Sequence, residues 1–230
     1  MALNINGTTG ISGVDASVSA PALTGTDSNT GISFPSADTI KFSTGGVERM
    51  SITNSGVTGV SGGKILQVVT TPDADRTAQG SISISSQGGT TDLTAFALSI
   101  TPSATTSKIR ISLHIGGEIN YTDSILFLKL KRAISGGATT NIQGATVGSK
   151  TEVITSTNSS SSDYATTLNN LQFSGLIDSP STTSAITYTP VMINIRNASH
   201  IFYYNRTVNN EDAYNRQHSV SWLTLEEIGA

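Results

Sequence analysis

The chain has 230 residues, of which 36% are hydrophobic and 13% charged, below the roughly 45–50% and about 25% of ordinary soluble domains. Its 13 basic and 16 acidic residues leave a net charge of −3, which excludes the broad basic footprint of a nucleic-acid binder. The absence of cysteine excludes disulfides, thiolate zinc sites and a cysteine nucleophile, so packing or assembly must supply stability.

Ser and Thr contribute 33 residues each, polar without charge. No run approaches the roughly 18 apolar residues of a membrane helix. Met1–Ala20 lacks a basic segment followed by an apolar one, so neither a secretory signal nor membrane insertion is expected. Helical periodicity is nearly absent, whereas Thr, Ile and Val abound between Gly and Asn breaks. β-branched side chains suit a pleated, half-buried surface, so the expected fold class is all-β.

In chain order, the first sixty residues break into short pieces at Leu3–Asn6, Gly31–Phe34, Thr39–Phe42 and Val47–Ile52. The last two read as a hairpin around Gly45-Gly46. A lone hairpin with so few apolar residues is marginal in water, so this region is either disordered or ordered by neighbouring chains. Gly59-Val60-Ser61-Gly62-Gly63 marks a boundary, giving expected units 1–62 and 63–230.

Beyond it the alternation sharpens. In Ser107–Ile115 the Ile and Leu side chains share one face, with Lys108, Arg110, Ser112 and His114 on the other. In Ile125–Arg132, Leu126, Leu128 and Leu130 oppose Ile125, Phe127, Lys129 and Lys131. Further strands are expected at Ile65–Thr70, Ser81–Ser85, Thr94–Ile100, Thr146–Thr155, Leu168–Ile177, Ile186–Arg196, His200–Asn205 and Val220–Ile228. Ser156–Asp163 reads as a surface loop. Strands in this number separated by turn residues predict an antiparallel β-sandwich or jelly roll.

Chemistry-bearing motifs are scarce. No nucleophile elbow or phosphate-binding loop occurs, and His114, His200 and His218 lack metal-ligand spacing. Asp73-Ala74-Asp75 and Glu211-Asp212 fall short of the six to eight oxygens that calcium takes. No enzymatic activity, metal or cofactor is expected. The most distinctive stretch is Ile201–His218, where aromatics, amides and arginines concentrate. Adjacent strand residues point oppositely, so Tyr203 and Tyr204 cannot both face the core.

Gly31–Ile52 resembles tail fibre proteins of tailed bacteriophages, notably those infecting marine bacteria, whose shafts repeat the G-x-x-E-R-M-x-I pattern of Gly45–Ile52. Ser107–Ile111, Leu176–Pro180, Asn205-Arg206 and Leu225–Ile228 are similar to the β-sandwich heads that end some of these fibres. Collagen-like repeats and a histidine-pair iron site are missing. The resemblance implies a homotrimeric virion protein, assembled in the bacterial cytoplasm, with a short trimeric β-rich shaft at 1–62 held by other tail or adaptor proteins. Its head at 63–230 would bind a host surface polysaccharide or outer-membrane protein. Candidate contacts are Tyr164, Tyr203, Tyr204, Arg206, Tyr214, Asn215 and Arg216. A capsid or collar decoration fibre shares these features.

Overall fold

The computed structural model describes residues 4–6, 10–12, 16–59, 64–121, 125–145, 147–158, 166–214 and 216–229. The chain divides into two units, Met1–Gly62 and Gly63–Ala230.

In the N-terminal unit, β1 (Asn4–Asn6) pairs with β2 (Gly10–Ser12). A five-stranded antiparallel meander follows, made of β3 (Leu23–Thr24), β4 (Gly31–Ser33), β5 (Ile40–Thr44), β6 (Val47–Thr53) and β7 (Gly56–Thr58). Gly45 and Gly46 close the β5–β6 hairpin with φ of +60° and +73°, the two left-handed positions that a tight primed turn demands. Cross-strand partners share a face. One face therefore carries Leu23, Ile32, Phe42 and Met50 in a row across four strands, beside a second row of Ile40, Ile52 and Val57. The other face carries Ser33, Lys41, Ser51 and Thr58.

Burial in this unit runs against chemistry. Among residues 16–59 the buried ones are Pro21, Ser33, Ser43 and Ser51, while Leu23 (45%), Ile52 (37%) and Val57 (49%) remain exposed. The apolar face also holds a hollow of about 390 Å³ lined by Phe34, Ile40 and Ile52. Ile32, Ile40, Phe42 and Met50 on this face are half-buried.

The C-terminal unit is built conventionally. Its strands are β8 (Ile65–Thr70), β9 (Gly80–Ile84), β10 (Thr90–Asp92), β11 (Leu98–Ile100), β12 (Lys108–Ile119), β13 (Ile125–Ile134), β14 (Thr139–Ile142), β15 (Thr155–Asn158), β16 (Asn169–Asp178), β17 (Ile186–Asn194), β18 (His200–Tyr204) and β19 (Trp222–Ile228). One six-stranded sheet runs β8-β19-β12-β18-β9, with β16 also on β12. The other runs β10-β17-β13-β14, with β11 on β17 and β15 on β13. All pairings are antiparallel. Ile109, Ile111, Leu113 and Ile115 of β12 and Leu126, Leu128 and Leu130 of β13 meet in one core with Tyr188, Phe202, Leu223 and Leu225. The fold is an all-β sandwich, as the alternation predicts.

Polar groups tie the sandwich at its edges. Glu227 is fully buried on β19. It accepts hydrogen bonds from the Ser103 amide (2.7 Å), the hydroxyls of Ser103 and Ser107 (both 2.6 Å) and the Gln67 amide (2.6 Å). Burial pushes its carboxyl up, but those donors outweigh burial and hold it down at about 2. Between the sheets, Asp178 accepts from Arg132 (2.7 Å) and from the Tyr188 hydroxyl (2.7 Å).

Three expected elements differ. Thr94–Phe96 is a 3-10 turn rather than strand, because this turn carries Phe96 into the core. The strand expected at Thr146–Thr155 is absent from its described residues before Thr155. Gly148 sits there at φ +60°, and Lys150 N–H donates to the Val147 carbonyl, which makes a turn. Pairing with β13 instead falls to β14 and β15, so the start of the expected Ser156–Asp163 loop is strand. A short helix, α1 (Asp73–Thr77), also forms, with Asp73 paired to Arg76.

Candidate functional site

The 201–218 region is positioned by β12 and β18. Tyr203 pairs with Glu118 across the ladder. Glu118 is buried, and its two oxygens accept from the Thr167 and Val208 amides, pinning the chain on either side. Asn205 ends β18 in the left-handed region at φ +61°, which asparagine tolerates better than other side chains. Its amide donates to the Arg76 and Ala78 carbonyls (2.9 and 2.7 Å), and its oxygen accepts from Ser221 (2.5 Å). Asn205→Ala removes these bonds in a fully buried site and keeps the strained backbone. We expect a loss of about 2–3 kcal/mol, read from urea unfolding midpoints.

After this turn the residues separate. Tyr204 is corrected from candidate contact to core: its ring packs edge-on against Phe96 at 5.4 Å, because it shares parity with fully buried Phe202. Tyr203 takes the opposite face, where the Arg206 guanidinium lies 4.4 Å over its ring. Arg206 also donates to the Thr207 and Val208 carbonyls, both at 3.2 Å. Tyr214 is fully exposed. Arg216 lies 3.8 Å from Glu211. A hollow of about 480 Å³ lies among Asn210, Glu211, Asp212, Arg216 and His218. His218 is held there by Gln79 and Asn210. Tyr164 and Asn215 lie outside the described residues. Tyr203 and Arg206 thus pack on each other, Arg216 lies beside Glu211, and Tyr204 turns to the core.

The other histidines pack on aromatics. His114 stacks on Trp222 at 6.1 Å, and His200 lies 4.3 Å from the Tyr121 ring. Among the described residues no group of three or more His, Cys, Asp or Glu side chains could hold a metal ion.

A second surface escaped the sequence reading. On the outer face of the β10-β17-β13-β14 sheet, the registers place Asp92 beside Val191 and Val191 beside Lys129. In the next row Thr189 lies beside Lys131 and Lys131 beside Asn141. Two adjoining hollows, of about 320 and 630 Å³, share Thr90, Lys129 and Asn141 and form one groove over this face. Its floor residues Val191 and Ile193 are at most 6% exposed although they point away from the core. Lysine stems lie along such apolar floors while their ammonium groups reach water. The outward set Phe127, Lys129 and Lys131 was legible from alternation. Thr90, Asn141 and Gln143 come from distant strands and turns that no local pattern joins to it.

No protein-family model matches the chain, and no curated protein matches it. Among solved structures, one similar chain belongs to the structure of infectious bursal disease virus Gx strain. It is 14% identical with a TM-score of 0.37, over 71% of this chain and 37% of that one. The present chain therefore spans little more than a third of that relative. Another is TmCBM61, solved in complex with beta-1,4-galactotriose, at 14% identity and a TM-score of 0.28, covering 62% of this chain and 87% of that one. The sandwich assignment stands on the strand pairing of the chain itself.

Proposed function

We propose that the chain is a homotrimeric bacteriophage tail fibre whose C-terminal sandwich binds the host cell surface without cleaving it. The observation that carries this reading is the partly exposed apolar face of the N-terminal sheet. A five-stranded layer that buries serines and exposes Leu23, Ile52 and Val57 has no core of its own. Large exposed apolar surfaces mark interaction sites. Copies of the same sheet supply the missing layer, and the phage-shaft pattern at Gly45–Ile52 lies within it.

In this reading residues 1–62 attach to the virion and form the shaft, and 63–230 form the head. The loop bearing Tyr203, Arg206, Tyr214 and Arg216 contacts a surface glycan or outer-membrane component. Tyr and Arg dominate binding hot spots because they combine contact area with hydrogen bonding. Weak single contacts suffice, since copies joined on one particle gain roughly 10²–10⁴ in avidity.

The test is binding of the purified intact protein to host cells. Saturable binding that blocks phage adsorption is expected, and absence of binding overturns the reading. Tyr214→Ala should weaken that binding at least tenfold with an unchanged melting temperature, because this side chain is fully exposed.

A further inference from the structure

We infer that the groove over the outer face of the β10-β17-β13-β14 sheet is a subsite for an acidic sugar, a pyranose carrying one carboxylate. This rests on the reading that the head binds glycan, and it adds the charge class of that glycan.

Three observations carry it. Lys129 stands where the two hollows join. Lys131 is neutralised by an ion pair with Asp92, but Lys129 forms no ion pair or hydrogen bond with any described residue. Lys129 thus stands as a cation without a bonded partner, in the hollow that also holds the Glu152 carboxylate. Beside it, Gln143 donates its amide hydrogen to Glu152 and so fixes that carboxylate in the groove wall, where a sugar hydroxyl can donate to it. Finally, Thr90, Asn141 and the Asp92 and Glu152 carboxylates line the remaining walls. These groups match ring hydroxyls, which both donate and accept. An unpaired cation among hydroxyl partners fits a uronate or sialate better than a neutral sugar or a phosphodiester.

The intact protein is titrated by calorimetry with trigalacturonate, with its methyl ester and with 3′-sialyllactose. At least one acidic sugar should bind, and the ester should bind at least tenfold more weakly than trigalacturonate if that sugar binds. Affinity should fall as salt rises, as expected for a charge contact. Lys129→Gln should lose at least tenfold in affinity at an unchanged melting temperature, and Asn141→Ala should also weaken binding. Lys108→Gln, on the other sheet, should change nothing. The inference is overturned if neither acidic sugar binds, if ester and acid bind alike, or if Lys129→Gln retains full affinity. Host-cell binding separates the two claims: cells bound equally by the parent and Lys129→Gln proteins remove the groove but leave the head as receptor binder. A parent protein that ignores cells removes the reading beneath it.

Discussion

Replacing Glu227 with alanine should destabilise the C-terminal sandwich by about 3 kcal/mol or more, lowering its melting temperature by roughly 6–12 °C. Four donors converge on this carboxylate, from Gln67 on β8 and from Ser103 and Ser107 in the segment that leads into β12. With the carboxylate gone, the buried Ser107 hydroxyl loses this acceptor, and Gln67 retains its bond to the Thr101 carbonyl alone. The effect should depend on pH in a defined direction. The folded carboxyl titrates at about 2, against 4.5 for an ordinary glutamate. A depressed folded value contributes stability that is fully present above the unfolded value and is lost as pH falls through the folded one. Urea midpoints of the parent protein should therefore drop between about pH 5 and pH 2, and the gap to Glu227→Ala should narrow over that window. A gap that stays constant down to pH 2 would contradict the assignment.

Phe42→Asp should dissociate the assembly into single chains while leaving the head folded. Phe42 lies at the centre of the apolar face, with Ile32 and Met50 as its cross-strand partners. An aspartate there, repeated in every copy, must either lose water or hold the copies apart, and desolvating a charge costs several kcal/mol per ion. The sandwich should be spared, because its core is drawn from residues 84–225. Sedimentation should report the loss of the oligomer, and thermal melting should retain the head transition. Amide exchange should become fast across β4–β6, since a layer without a second layer opens readily. Retention of the oligomer by Phe42→Asp would place its interface elsewhere.

Much of this fold is legible in the residues because burial writes a period of two into each strand. Lys108–Ile115 alternates strictly, and β12 buries Ile109, Ile111, Leu113 and Ile115 with no exposed surface. Legibility fails where a strand has little to bury. Thr139–Ile142 reaches the core through Ile142 alone, so its sequence looks like loop. Thr94–Ile100 fails differently: its apolar residues are real core, but a turn rather than a strand carries Phe96 inward.

One constraint within 201–218 was legible. Sequence required Tyr203 and Tyr204 to face opposite ways, yet local chemistry could not say which turned in. The choice follows from the β18 register with β12 and β9, set by residues about ninety and a hundred and twenty positions earlier in the chain. The groove was hidden for the same reason. Its lysines announce an outward face, whereas the walls that make the face a groove arrive from β10, β14 and the segment near Glu152. A single sequence carries periodicity along a strand but not the neighbours across it.

The N-terminal sheet reverses that lesson: its apolar row is legible, and the layer proposed to cover it comes from other copies. Light scattering of the intact protein across a dilution series tests this most directly. A mass near three times the 23.8 kDa of one chain, holding until residues 16–59 lose their amide protection, is the predicted result. A stable 23.8 kDa monomer with those residues still protected would contradict the account.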